Sequence, residues 1–354
     1  MPFGSLAADA RTLTLEGKAH PTGVAITMTS RSPGSLARDQ IGDKIDGGTT
    51  IRARGLRKQY GELAAVRGID LAVRAGEIFA VLGPNGAGKT TTVEMLESYR
   101  RRDAGEVAVL GADPACPAPG WRARIGVVLQ TTKVPDELTV RELVERYAGF
   151  YPYARDIDET IELVGLAEKS ATRAGKLSGG QLRRLDVALA IVGDPDLVFL
   201  DEPATGFDPL ARRHAWALVT GLHGLGKTVF LSTHYMDEAE ALADRVAVIV
   251  GGVIVEEGTP QTIGGRDTAP VEIHFACAAG APPSQLAELV AGLPAELAAQ
   301  ACGHRILIRT REPERTLRVL LDWARHHQVG LPGLEVRPPT LKEIYLRLTG
   351  GTPW

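Results

Sequence analysis

Leu177-Ser178-Gly179-Gly180-Gln181 decides the reading of this chain because of what flanks it. Upstream, the apolar run Ile78-Phe79-Ala80-Val81-Leu82 leads into Gly83-Pro84-Asn85-Gly86-Ala87-Gly88-Lys89-Thr90-Thr91. Downstream, Leu197-Val198-Phe199-Leu200 ends in Asp201-Glu202. An unbroken apolar run predicts a strand buried on both faces, and the proline-free stretch 89–97 predicts a helix. Strand, glycine-rich loop and helix together form a phosphate cradle, with backbone N–H groups aimed inward and the positive helix end behind them. Lys89 supplies a compact positive charge for the outer phosphates, and the Thr90 hydroxyl suits magnesium. The second apolar strand carries two acids to the edge where ligands gather in an open α/β sheet. Asp201 suits magnesium held through water, and Glu202 suits a general base that orients and polarises an attacking water. Ser178-Gly179-Gly180 opens a segment, 181–192, with Leu182, Leu185, Leu189 and Val192 at helical spacing, and so makes a second anion-binding helix start.

One triphosphate hardly needs two such cradles from one chain. In this order, the three stretches resemble the nucleotide-binding subunit of an ATP-binding cassette transporter. The resemblance implies an α/β fold: a P-loop NTPase cassette with a mixed sheet core and a helical signature subdomain. It implies ATP and Mg2+ as ligands, and a head-to-tail dimer with a second copy of the chain or a homologous cassette subunit. Leu177, Ser178, Gly179, Gly180 and Gln181 of one subunit then face the γ-phosphate held by the other.

Four further positions match the family's pattern. Gln130, after the apolar strand 125–129, corresponds to a glutamine that touches magnesium and leads to the membrane subunit. His234, after Val229-Phe230-Leu231-Ser232-Thr233, corresponds to the switch histidine that senses the γ-phosphate and holds the catalytic geometry. Tyr60 stands where an aromatic stacks on adenine, and Asp208 lies in the loop that crosses the dimer interface. Where relatives usually have leucine before that aspartate, this chain has Phe207.

Composition sets the outer limits. The 354 residues are 44% hydrophobic, enough for two domains with a sizeable core, and a net charge of -3 offers no field for a phosphate backbone, so no nucleic-acid partner is expected. No apolar run reaches the roughly 20 residues of a membrane-spanning helix. Membrane contact is expected through a separate integral-membrane permease, at the cytoplasmic face of the membrane. Cys116, Cys277 and Cys302 are too few and too scattered for a zinc site or disulfide framework.

Residues 1–49 mix Ser, Thr, Gly, Arg and Asp without periodicity and lack the core of a secretory signal. They are expected to be a flexible extension, with Met1 or Met28 as the true start. The cassette is expected over 50–262, with its helical subdomain at roughly 131–180. Within it, Thr139 and Glu142 form a capping box, Ile157, Ile161 and Val164 repeat at helical spacing, and 246–255 reads as a hairpin turning at Gly251-Gly252. A small α+β C-terminal domain is expected over 265–350, with strands near 271–275, 305–310 and 329–336 and helices at 284–291, 313–327 and 340–348.

The segment 338–350 is similar to the closing phrase of drug-export cassette subunits of the daunorubicin-resistance type, with Lys342, Glu343, Ile344 and Tyr345 departing from it. Thr233-His234-Tyr235-Met236-Asp237-Glu238-Ala239-Glu240 fits the same subgroup. The leading expectation is therefore the ATPase subunit of an exporter of drugs or other hydrophobic small molecules. An importer subunit remains an alternative, as does a cassette ATPase acting on ribosomes or DNA. Relatives of the latter kinds carry two cassettes or a long arm, and this chain has neither.

Overall fold

The computed structural model describes residues 48–128, 134–205, 207, 209–276, 298–302 and 305–349. The expectations for the N-terminal extension up to residue 47, for Gln130 and Asp208, and for a helix at 284–291 lie outside the described residues.

The chain first forms a hairpin, β1 (Thr49–Tyr60) and β2 (Leu63–Arg74), which pair antiparallel along their length. From sequence, 51–56 and 66–73 read as shorter strands. Backbone pairing continues beyond the buried residues to the exposed pair Tyr60 and Leu63, where alternation carries no signal.

Next come β3 (Ile78–Leu82), α1 (Lys89–Leu96), β4 (Ala104–Val109) and β5 (Ile125–Val128). Three helices follow: α2 (Val140–Ala148), α3 (Ile157–Leu163) and α4 (Gly179–Ile191). The cassette closes with β6 (Leu197–Asp201), α5 (Pro209–Gly224), β7 (Thr228–Thr233), α6 (Met236–Leu242), β8 (Arg245–Val250) and β9 (Val253–Gly258).

Two sheets sandwich a core. One is antiparallel, in the order β2-β1-β4; the other is mixed, in the order β5-β6-β7-β3-β8-β9, parallel except for β9. All five residues of β3 are buried, and its alternation divides them between two cores. Ile78, Ala80 and Leu82 face a core shared with Leu143 and Val144 of α2, Ile161 of α3 and Leu185 of α4. Phe79 and Val81 face the antiparallel sheet, where Phe79 and Phe199 flank Phe230 at ring-centroid distances of 5.8 and 5.6 Å. Each such fully buried aliphatic side chain contributes about 1.5–3 kcal/mol.

The helix starts follow the sequence closely. Thr139 and Glu142 form the expected capping box, and the Asp156 side chain caps α3. Both Gly251 and Gly252 have positive φ, which the tight β8–β9 turn requires.

The C-terminal sheet has the order β11-β12-β10-β13, from β10 (Val271–Ala276), β11 (Ala298–Cys302), β12 (Arg305–Thr310) and β13 (Glu335–Arg337). Helix α7 (Pro313–His327) packs Leu320 and Trp323 onto Ile273, Phe275, Ile306 and Ile308. Instead of a strand over 329–336, only Glu335–Arg337 pairs, because Pro332 lacks an N–H for a ladder and Pro332-Gly333 turns the chain. Thr340 and Glu343 cap α8 (Leu341–Leu348), whose Leu341 and Tyr345 are buried among cassette residues that include Met236 and Ala239. Arg266 fastens this arrangement, donating to the Pro339 carbonyl and the Glu240 carboxylate.

Candidate nucleotide site

The mixed sheet gathers the chemistry at the carboxyl ends of three adjacent strands. In register, Asp201 of β6 pairs with Ser232 of β7, and Thr233 pairs with Leu82 of β3, one residue before the glycine-rich loop. Parallel strands all point their carboxyl ends the same way, so loop, acids and His234 share one edge.

The loop's glycines divide into two kinds. A Cβ on Gly83 would collide with the Ile249 carbonyl, and one on Gly88 with the Ala65 carbonyl, while Gly88 also has φ +102. These two glycines serve the chain's own packing. Gly86 is exposed with open space around it, and Asn85 is exposed beside it, while Pro84 is half-buried and Ala87 buried. Helix α1 begins without any side-chain cap and without an acid in its first turn. Its first N–H groups lack intrahelical partners, so the helix start fits an anion. Thr90 is exposed there and Thr91 half-buried.

Lys89 is only 4% exposed, and its ammonium donates to the carbonyls of Gly83 at 2.8 Å and Pro84 at 3.1 Å. Burial pulls its pKa down against the opposing pull of Glu202, whose Oε1 lies 3.5 Å away. Glu202 Oε1 is also 3.2 Å from His234 Nδ1, a contact that lacks the alignment of a hydrogen bond. Burial opposes ionisation of Glu202, but the neighbouring His234, Lys89 and Thr205 outweigh it and hold its carboxyl below the usual value. Glu202 is therefore an anion at neutral pH. Its φ of +47 is left-handed, a conformation that costs a non-glycine residue on the order of 1 kcal/mol or more and that clusters at functional sites.

The two acids are less open than a strand end suggests. Asp201 is 7% exposed and accepts the Ser232 hydroxyl, and the Ser232 side chain in turn accepts the Glu202 N–H at 3.1 Å. Arg183 donates to the Asp201 carbonyl at 3.2 Å. Ser232, Thr205 and Arg183 escaped the sequence reading; the one available signal was a serine in the otherwise apolar run Val229-Phe230-Leu231. The exposed Thr90 hydroxyl and the Asp201 carboxylate are hard oxygen donors of the type magnesium takes.

At the signature, Ser178 caps α4 through a complete capping box with Gln181, whose side chain accepts the Ser178 N–H at 3.0 Å. Among the described residues, a Cβ on Gly179 would have nothing within 4 Å, and one on Gly180 would meet Ala211 at 3.8 Å. None of these neighbours requires glycine at either position. Leu177 is half-buried against the helical core. Behind the signature lies a cavity of about 430 Å³, walled by Val187, Leu200, Phe207, Leu218 and Leu222.

Tyr60 stands at the end of β1, 38% exposed, with the Arg100 guanidinium 5.2 Å and the Lys58 ammonium 5.7 Å from its ring centre. The start of β2 adjoins the loop, since Ala65 crowds Gly88. Glu97, just past α1, is buried; desolvation, with Asp201 and Glu94 nearby, pushes its carboxyl up to about 7. The folded state thus favours its neutral form, so the stability it contributes is complete below the ordinary value of 4.5 and lost as pH rises through about 7. The unfolding free energy is expected to drop from about pH 5 to about pH 8, and Glu97→Gln to reduce that drop by on the order of 1–3 kcal/mol. Thermal melts across pH check this; identical slopes in both proteins would contradict it.

The family models agree with this geometry. An ABC transporter model matches residues 66–205, and a model of the C-terminal domain of ABC transporter domain-containing protein-like chains matches 272–340. The Nod factor export ATP-binding protein I of Rhizobium sp. (strain N33) is 38% identical over 314 residues, covering 85% of this chain and 97% of that protein. The chain belongs to the ATP-binding cassette family of transporter ATPases. The cassette ATPase is also 35% identical over 311 residues to the daunorubicin resistance ATP-binding protein DrrA3 of Streptomyces coeruleorubidus, covering 85% of this chain and 96% of the relative. Among solved structures, the ADP conformation of an ATP-binding cassette superposes with a TM-score of 0.54 at 24% identity, over 60% of this chain and 91% of that one. A dimeric post-hydrolysis cassette bound to ADP and phosphate superposes with a TM-score of 0.53 at 23% identity, over 59% and 98%. Both share the fold of the cassette ATPase described here. It binds nucleotide, and no helix among its described residues is long and apolar enough to cross a membrane.

Proposed function

We propose that this chain powers an exporter of drugs or other hydrophobic small molecules, working at the cytoplasmic face of the membrane beneath a separate integral-membrane permease. The observation that carries this reading is the extent of the match. Relatives named for Nod factor export and daunorubicin resistance align over 85% of the chain, more than the cassette alone spans.

On this reading Glu202 takes a proton from the attacking water while His234 steadies its carboxylate and the γ-phosphate. Lys89 exchanges the Gly83 and Pro84 carbonyls for the outer phosphates, and Tyr60 stacks on adenine. Thr90, Asp201 and Gln130 would hold magnesium, which when bound neutralises charge on the β- and γ-phosphates. Asp208 and the signature belong to the interface with a second copy or a homologous cassette subunit. The open space at Gly179 and Gly180 supports that role, because glycine costs a helix backbone entropy and meets no close neighbour among the described residues that would call for it.

Gly179→Ala or Gly180→Ala is therefore expected to stabilise the isolated chain by about 0.4–1 kcal/mol while lowering ATP turnover. Melts and turnover assays on the same samples check this, and a loss of stability would contradict it. Export itself is tested in inverted membrane vesicles holding this chain and its co-expressed permease. ATP-driven accumulation of daunorubicin, lost in Glu202→Gln, is expected; ATP-driven release of preloaded drug would contradict export.

A further inference from the structure

The segment that follows His234 is tied to helix α5 at two points. Glu238, fully buried at the first turn of α6, accepts the indole N–H of Trp216 on α5 at 3.2 Å. Its second carboxylate oxygen is buried without a hydrogen-bond partner among the described residues. The Thr233 side chain lies beside the same carboxyl and accepts the Tyr235 N–H at 2.9 Å, so Thr233 links the carboxyl to the segment that carries His234. The second tie runs through rings. The His234 ring lies 4.1 Å from the Tyr235 ring, the Arg212 guanidinium of α5 lies 4.3 Å from the other ring centre, and Arg212 pairs with Asp237 at 3.1 Å.

We propose that Glu238 is a positioning residue for ATP hydrolysis: with Trp216 it braces the Thr233–Tyr235 segment against α5 and so holds His234 in place beside Glu202. This rests on the reading of Glu202 and His234 as the catalytic pair. A buried carboxyl left half-satisfied is costly for a fold, and an apolar side chain would serve packing better. Desolvation pushes the Glu238 carboxyl up to about 7, with Thr233 and Trp216 pulling down, Asp237 pushing up and Arg212 pulling down, and the Arg183 guanidinium also feels its charge. Helix α5 begins at Pro209, directly after the interface residue Asp208. A shift of that helix is thus transmitted to His234 through the Trp216–Glu238 contact.

The test compares Trp216→Phe, which removes the N–H and one ring of the indole while keeping an aromatic side chain, with Glu238→Leu and the conservative Glu238→Gln. Steady-state ATP hydrolysis is measured for each, with thermal melts on the same samples. Trp216→Phe and Glu238→Leu are expected to lower kcat about tenfold or more while KM for ATP stays within about twofold. Glu238→Gln keeps an acceptor for the indole and is expected to retain most of the parent rate. The proposal is overturned if kcat of the first two stays within about twofold of the parent. It is equally overturned if kcat falls only in proportion to the folded fraction, or if Glu238→Gln falls as far as Glu238→Leu. Glu202→Gln run alongside separates the two readings: near-parent hydrolysis there removes the catalytic pair itself, whereas its loss with an unaffected Trp216→Phe removes only the brace.

Discussion

Glu202→Gln is expected to hydrolyse ATP at least about 100-fold more slowly than the parent chain while still binding it. The exchange keeps the shape of the side chain and its left-handed backbone, so the strain at φ +47 is the same in both proteins. What disappears is the anion. In the parent chain Lys89 at 3.5 Å and His234 at 3.2 Å help hold the Glu202 carboxyl below its ordinary value, so the base is charged at neutral pH. The amide accepts no proton from water under those conditions. With binding intact and turnover blocked, the ATP-bound dimer is expected to accumulate, as a species of twice the monomer mass in light scattering. Near-parent turnover in the presence of the permease would contradict the assignment.

Lys89→Ala is expected to act at the binding step, weakening ATP binding by more than about tenfold in calorimetry. The ammonium is the charge available to the outer phosphates from within the loop, and it donates to two carbonyls, those of Gly83 and Pro84. Its removal leaves those carbonyls without that donor and takes a cation from beside Glu202. A loss of stability on the order of 1–3 kcal/mol is expected to accompany the loss of affinity. Unchanged nucleotide binding would remove this loop as the phosphate site.

The parts of the site legible in the sequence are those made by one continuous stretch. The loop 83–90, the strand 197–201 and the capped helix after Ser178 each carry their own periodicity and turn chemistry, and each lies where that pattern places it. What could not be read were contacts between strands that are distant along the chain. The pairing of Asp201 with Ser232, the hold of Arg183 on the Asp201 carbonyl and the Trp216–Glu238 contact depend on the strand order β6-β7-β3 and on the packing of α5 against α6. No local periodicity encodes these. The exposed strand ends between Tyr60 and Leu63 and the turn at Pro332 depart from the sequence pattern for the complementary reason: pairing outlasts alternation in the first, and a missing N–H interrupts it in the second.

The central claim is that each hydrolytic site is built from the loop of one subunit and the signature of another. It is tested most directly by mixing two inactive variants, Lys89→Ala and Gly180→Asp, and measuring ATP-dependent dimerisation by light scattering. Gly180→Asp alone is expected to bind ATP as a monomer but not to dimerise, because its carboxylate faces the γ-phosphate across the interface. In the mixed dimer both defects fall on one composite site, and the other is made of two intact halves. Dimer formation in the mixture, absent from either variant alone, is the result this account predicts. Loss of monomeric ATP binding in Gly180→Asp, with no dimer in the mixture, would show that the signature acts within its own subunit and would contradict it.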